Sequence, residues 1–198
     1  MKSAAVGFRA HSGWTALIAL AVTKGVPSVL ARQRLHLVET FTYKFRQPYH
    51  TGEKMPLDEA RAFISRARKE AQRLGLHAIR ELQAHLKEQG YSLAHCGLLL
   101  SSGRLLPELS KILASHSLIH SADGELFREA LLHAGARCGL KAITIGEREL
   151  LDSASRTLRV KPTDLTQRVA ELGRSLGAPW TQDEKLASLV AWLALKSK

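Results

Sequence analysis

Acidic residues are scarce. Against 29 Lys and Arg, the 198-residue chain carries 18 Asp and Glu, a formal net charge of +11 with His neutral. The shortage is steepest at the front. Residues 1–54 hold Lys2, Arg9, Lys24, Arg32, Arg34, Lys44, Arg46 and Lys54 against Glu39 and Glu53 alone. Such an imbalance favours polyanionic partners through long-range attraction and counterion release. Its concentration in one stretch points to a basic face. Cysteine is scarcer still. Cys96 and Cys138 lie far apart in apolar surroundings. That excludes a disulfide framework and a cysteine-based metal site, and leaves two free thiols of a reducing compartment. Long apolar runs are missing too. Trp14 to Val22 is the one apolar run near the N-terminus, and it is too short to span a membrane. Ala19-Leu20-Ala21 imitates a leader cleavage site, but Arg9 and His11 interrupt the approach to it. The expectation is a bacterial-type, cytoplasmic protein with no membrane partner. With no low-complexity tract and no internal repeat, residues 1–198 read as a single domain.

The segments that are present alternate in type. Ala4 to Phe8 reads as a strand, His11-Ser12-Gly13 as a turn, and Trp14 to Val22 as a strand buried on both faces. Lys24 to Pro27 is a second turn signal, and Val29 to Val38 alternates like a half-exposed third strand. Together they form a meander. Thr40 to Met55 has no clear period and reads as an ordered loop, with Phe41, Tyr43, Phe45 and Tyr49 among Lys44, Arg46 and His50. A long helix is expected over about 56–89, opened by Pro56 and closed by Gly90. His95 to Leu100 is a short apolar strand, followed by the loop Ser101 to Arg104 and a helix over Leu106 to Ser115. Ser121 reads as the N-cap of a helix running to Cys138, with Asp123 and Glu125 in its first turn. Lys141 to Ile145 is a fifth strand. Helices follow over Arg148 to Thr157 and Asp164 to Leu176. A closing helix over about 181–196 is capped by Thr181 and Glu184 as a capping box.

This order is α/β: a meander of three strands, then helix, strand, helix, strand and helix. It resembles the ribonuclease H-like superfamily, and within it the RuvC-type resolvase branch. Ala5-Val6-Gly7-Phe8-Arg9 through Ala16-Leu17 looks like that family's first hairpin. Ser121 to Ile145 looks like its helix leading into the fifth strand, and Pro179 to Ala191 like its closing active-site helix. The resemblance implies a three-layer fold with a mixed five-stranded sheet, an antiparallel meander with the fourth and fifth strands parallel beside the first. It also implies clustered carboxylates holding Mg²⁺ for phosphodiester cleavage. Here the acids are degenerate. Arg9 stands where the first strand's acid is expected, the fourth strand has none, and of two places on the last helix Asp183 fills one and Leu186 the other. A cation in the first place repels Mg²⁺ and attracts phosphate.

The reading is therefore a nucleic-acid-binding relative of these nucleases, DNA or RNA, without the usual two-metal activity, and so leaning away from an enzyme. Arg9, His11, Arg32, Arg34, Lys44, Arg46, His50 and Arg104 are its candidate contacts: cations near turns, strand ends and an aromatic loop, suited to gripping phosphate and stacking bases. One alternative is an active nuclease or other phosphohydrolase with a non-standard acid and histidine set, Asp183, Glu125 and His120, with His116 beside them. Mg²⁺ belongs only to that alternative, and no other cofactor is expected. A further alternative is a non-enzymatic scaffold or assembly protein; a protein partner or a homodimer is compatible with any of these. His116 and His120, four apart, would share a metal-binding face if both were helical. With Ser121 as the helix start, they read as polar residues at a junction, and no metal site is assigned.

Overall fold

The computed structural model describes residues 1–100 and 105–197. Three antiparallel strands open the chain: β1 (Lys2–His11), β2 (Trp14–Thr23) and β3 (Val26–His36). Two short helices, α1 (Tyr43–Arg46) and α2 (Pro48–Gly52), precede the 32-residue α3 (Leu57–Glu88). Then come β4 (Tyr91–Leu100), α4 (Leu109–Leu113), α5 (His116–Arg137) and β5 (Lys141–Gly146). Helices α6 (Glu147–Leu158), α7 (Pro162–Leu172) and α8 (Gln182–Ala194) complete the described fold. The sheet order is β3-β2-β1-β4-β5, with β4 parallel to β1 and β5 parallel to β4. The expected fold class is the observed one.

Side-chain alternation along β1 divides the core. Ala4, Val6, Phe8 and Ala10 point into one layer with Ile79, Leu86, Leu126 and Phe127 of α3 and α5. Ala5 points the other way, into a layer built with Leu150 and Leu165 and with Val190, Ala191 and Trp192 of α8. That second face is unusually close to a helix. A Cβ on Gly7 would lie 1.9 Å from the Ala187 carbonyl oxygen, and one on Gly97 would lie 2.6 Å from that of Val190. Only residues without a side chain at these two paired positions of β1 and β4 let α8 lie directly on the sheet. With a period of two, Arg9 and His11 follow Gly7 on the same face. The glycine that admits α8 thus also sends Arg9 toward the start of that helix.

Several expectations change. The Thr40–Met55 segment, expected as a loop, contains two helices, and Tyr49 is buried, so this aromatic serves packing and not a nucleic-acid surface. Pro56 is the N-cap of α3 and not its first residue. Gly75 lies within an unbroken α3 and faces Ala134 of α5. The largest correction is at α5. It starts five residues before Ser121, whose hydroxyl is spent inside the helix on the carbonyl of Ser117. Asp123 and Glu125 are consequently not first-turn acids. The Thr181–Glu184 capping box is present as expected.

Candidate anion cleft and its surroundings

The parallel strands β1, β4 and β5 end together, where ligands of open α/β sheets tend to bind. Beyond their ends lies a cleft of roughly 1000 Å³, walled by Arg9, Leu100, Arg128, Arg148 and residues of α8 including Lys185 and Leu186. Arg9 is central. Its Nη2 lies 2.8 Å from Glu147 Oε2, and its Nε lies 3.9 Å from Asp183 Oδ1. His11 Nε2 lies 3.0 Å from the same Asp183 oxygen, and its ring stacks on Trp14 at 4.4 Å. Arg128 comes from α5 and is 7% exposed. Its Nη1 donates to Glu125 Oε2 at 3.0 Å, while its Nε is buried without a partner. Arg9 Nε is likewise buried without a hydrogen bond, its carboxylate neighbour being Asp183 at 3.9 Å. Burial pulls the Arg128 pKa below its ordinary value; Glu125 works against that shift and nearby Arg9 adds to it. Two guanidiniums therefore face one cleft, each with donor capacity to spare.

Mg²⁺ does not fit this arrangement. It takes oxygen ligands in near-octahedral order. Arg9 occupies the expected first-strand position, Asp183 is engaged by Arg9 and His11, and Leu186 presents no ligand. Among the described residues, no three carboxylates lie within coordinating reach of one another; the one such group of side chains is His50, His116 and His120.

The remaining candidates scatter. Arg32 fastens the segment before α8: it donates to Glu184 Oε1 at 2.5 Å, to the carbonyl of Gly177 at 3.1 Å and to that of Pro179. Arg34 lies 3.8 Å over the Trp14 ring, and Arg46 4.7 Å over Phe41. Lys44 is exposed on α1. His50 is buried, so it is not a surface contact for phosphate; its Nδ1 meets Asp123 Oδ2 at 2.5 Å. Arg104 lies outside the described residues, as do Ser101 and Ser102. Of the acid and histidine set, Asp183 is beside Arg9, Glu125 is paired with Arg128, and His120 belongs to the histidine group. Sequence reasoning missed Arg128 and Lys185, which sit in ordinary helical patterns with nothing to mark them. It also missed Asp123 as a buried acceptor, because Ser121 imitated a cap.

No family model matches the chain, and no curated protein matches it in sequence. Solved structures do. A Thermus thermophilus RuvC in complex with a Holliday junction substrate aligns over 96% of this chain and 91% of its own, at a TM-score of 0.55 and 11% identity. A second structure of Thermus thermophilus RuvC aligns over 96% and 92%, at a TM-score of 0.51 and 12% identity. With the five-strand order 3-2-1-4-5 and the closing helix laid across β1 and β4, the chain has the ribonuclease H-like fold in its RuvC-like form.

Proposed function

We propose that this protein binds nucleic acid through the cleft at the ends of β1, β4 and β5 and does not cut it by the two-metal route. The observation that carries the reading is the Arg9–Arg128 pair. Two guanidiniums line one confined wall, Arg9 beside Glu147 and Asp183 and Arg128 beside Glu125. A phosphate oxygen entering the cleft would take charge-assisted hydrogen bonds from their Nη groups. Arg148 and Lys185 add cations to a wall that also carries Glu147 and Glu149, and the net charge of +11 supplies long-range attraction. The RuvC neighbour is held in complex with a Holliday junction, so a four-way junction is the first ligand to try.

The test is binding of labelled four-way junction, duplex and single-stranded DNA and RNA across a salt series. Binding is expected at low salt, falling steeply as salt rises. Arg9→Ala should weaken it about tenfold, the loss of one charge-assisted contact. Arg148→Ala with Lys185→Ala should flatten the log–log salt slope by about 2, because two fewer phosphates are neutralised. The same substrates incubated with Mg²⁺ or Mn²⁺ should stay uncut. A folded protein that binds none of them at low salt defeats the proposal. Cleavage abolished by Asp183→Asn would defeat its second half.

A further inference from the structure

Helix α5 places His116 and His120 one turn apart on a single face, with their Nε2 atoms 3.1 Å apart. Helix α2 brings a third ring against them. The His50 centroid lies 4.4 Å from that of His120 and 5.4 Å from that of His116, at steep interplanar angles. One nitrogen from each ring lies within 4.8 Å of the other two.

His50 is held in a defined orientation. Its Nδ1 faces Asp123 Oδ2 at 2.5 Å, and the other Asp123 oxygen accepts the Tyr49 backbone N–H at 2.7 Å. Asp123 is 2% exposed. A carboxylate so placed keeps the proton on Nδ1 and leaves the Nε2 lone pair for the neighbouring rings. We propose that His50, His116 and His120 form a zinc-binding site, oriented by Asp123 and separate from the anion cleft.

The chemistry favours zinc among divalent cations. Three imidazoles without a carboxylate suit a borderline-soft ion and disfavour Mg²⁺, which prefers oxygen. Zn–N bonds of about 2.0–2.1 Å in a tetrahedron put two ligand nitrogens about 3.3 Å apart. The His116–His120 separation is close to that value. A carboxylate behind one imidazole is also the usual support for a zinc-bound histidine. His50 is buried while His116 and His120 are exposed, so the fourth position opens to solvent and takes water or an anionic ligand group. A hydrogen bond between His116 and His120 accounts for one pair of rings. It does not account for the third, nor for the buried acid that turns it.

The experiment uses untagged protein freed of metal by chelation. Zinc is titrated in competition with a chromogenic chelator, and uptake is checked by elemental analysis. One zinc per chain is expected, with mM Mg²⁺ unable to displace it. Co²⁺ should give the visible absorption of a tetrahedral site. His116→Gln and His120→Gln, both at exposed positions, should each weaken binding at least about tenfold, and together abolish it. Asp123→Asn should weaken it about 10–100-fold. The exposed His77→Gln should change nothing. A folded wild type that takes up no zinc at about 0.1 mM overturns the proposal. So does a His116/His120 double variant that keeps one zinc per chain. Neither result bears on nucleic-acid binding, which is read in a separate assay.

Discussion

Gly7 shows how one residue can fix a site without being part of it. The Ala187 carbonyl oxygen occupies the space that a methyl group at Gly7 would need, 1.9 Å from the Cβ position. Gly7→Ala must push α8 off the sheet. Overpacking costs about 1–3 kcal/mol and more where backbone has to move. At the upper figure, a melting temperature lower by roughly 6–12 °C is expected for a chain of this length. Calorimetry checks it, and an unchanged melting temperature would show that α8 does not lie where described. Arg9 was legible because the pattern Gly-Phe-Arg puts a cation where the resemblance calls for an acid. Its partner Arg128 was not. A lone Arg on a helix says nothing about which wall it faces, and that depends on how α5 is rotated against the sheet. His50 was misread for a related reason: its acceptor, Asp123, lies 73 residues away.

At the scale of elements, the entrance to α8 is tied from several sides. Thr181 and Glu184 cap the helix, Trp180 donates to the Val169 carbonyl at 2.9 Å, and Arg32 of β3 reaches across to Glu184 and the preceding carbonyls. Burial alone would raise the Glu184 pKa. The bonds from Thr181 and Arg32 outweigh it and hold the carboxyl below its ordinary 4.5. A depressed folded-state value stabilises the native protein above pH 4.5, and that stabilisation is lost as pH falls through the lower folded value. Glu184→Gln keeps the capping geometry and removes the charge. At neutral pH it should cost about 1.5–3 kcal/mol, the worth of a hydrogen bond to a charged group. The gap to wild type should close as pH falls below 4.5. Urea titrations at several pH values measure it, and a gap that stays constant would rule out Arg32–Glu184 as its source. The capping box was readable because its whole signal lies within four residues. The start of α5 was not, since Ser115 makes no side-chain cap bond while Ser121 has the residue type of one.

At the scale of the whole molecule, the succession of meander, helix, strand, helix and strand suggested the ribonuclease H-like resemblance, and the parallel placement of β4 and β5 came with it. Parallel strands joined through helices leave few right-handed arrangements. What that succession could not disclose is how much the central strands share. Cys96, paired in β4 with Val6 of β1, packs in the α3–α5 layer, and Leu99 of the same strand packs in the α8 layer. Neither layer can open without disturbing β4, so the two should unfold as one cooperative unit. Cys96 reports on this directly. It is 2% exposed, and burial, with Cys138 nearby, pushes its thiol up to about 11. In the native state it presents neither access nor thiolate to an alkylating reagent. Cys138 is only half-buried, at the end of α5, and should label before unfolding. Brief thiol labelling along a urea gradient should therefore give a Cys96 midpoint that coincides with the loss of far-ultraviolet circular dichroism. Cys96 reacting well below that midpoint would mean that the α3–α5 layer opens by itself, and that β4 does not bind the two cores into one.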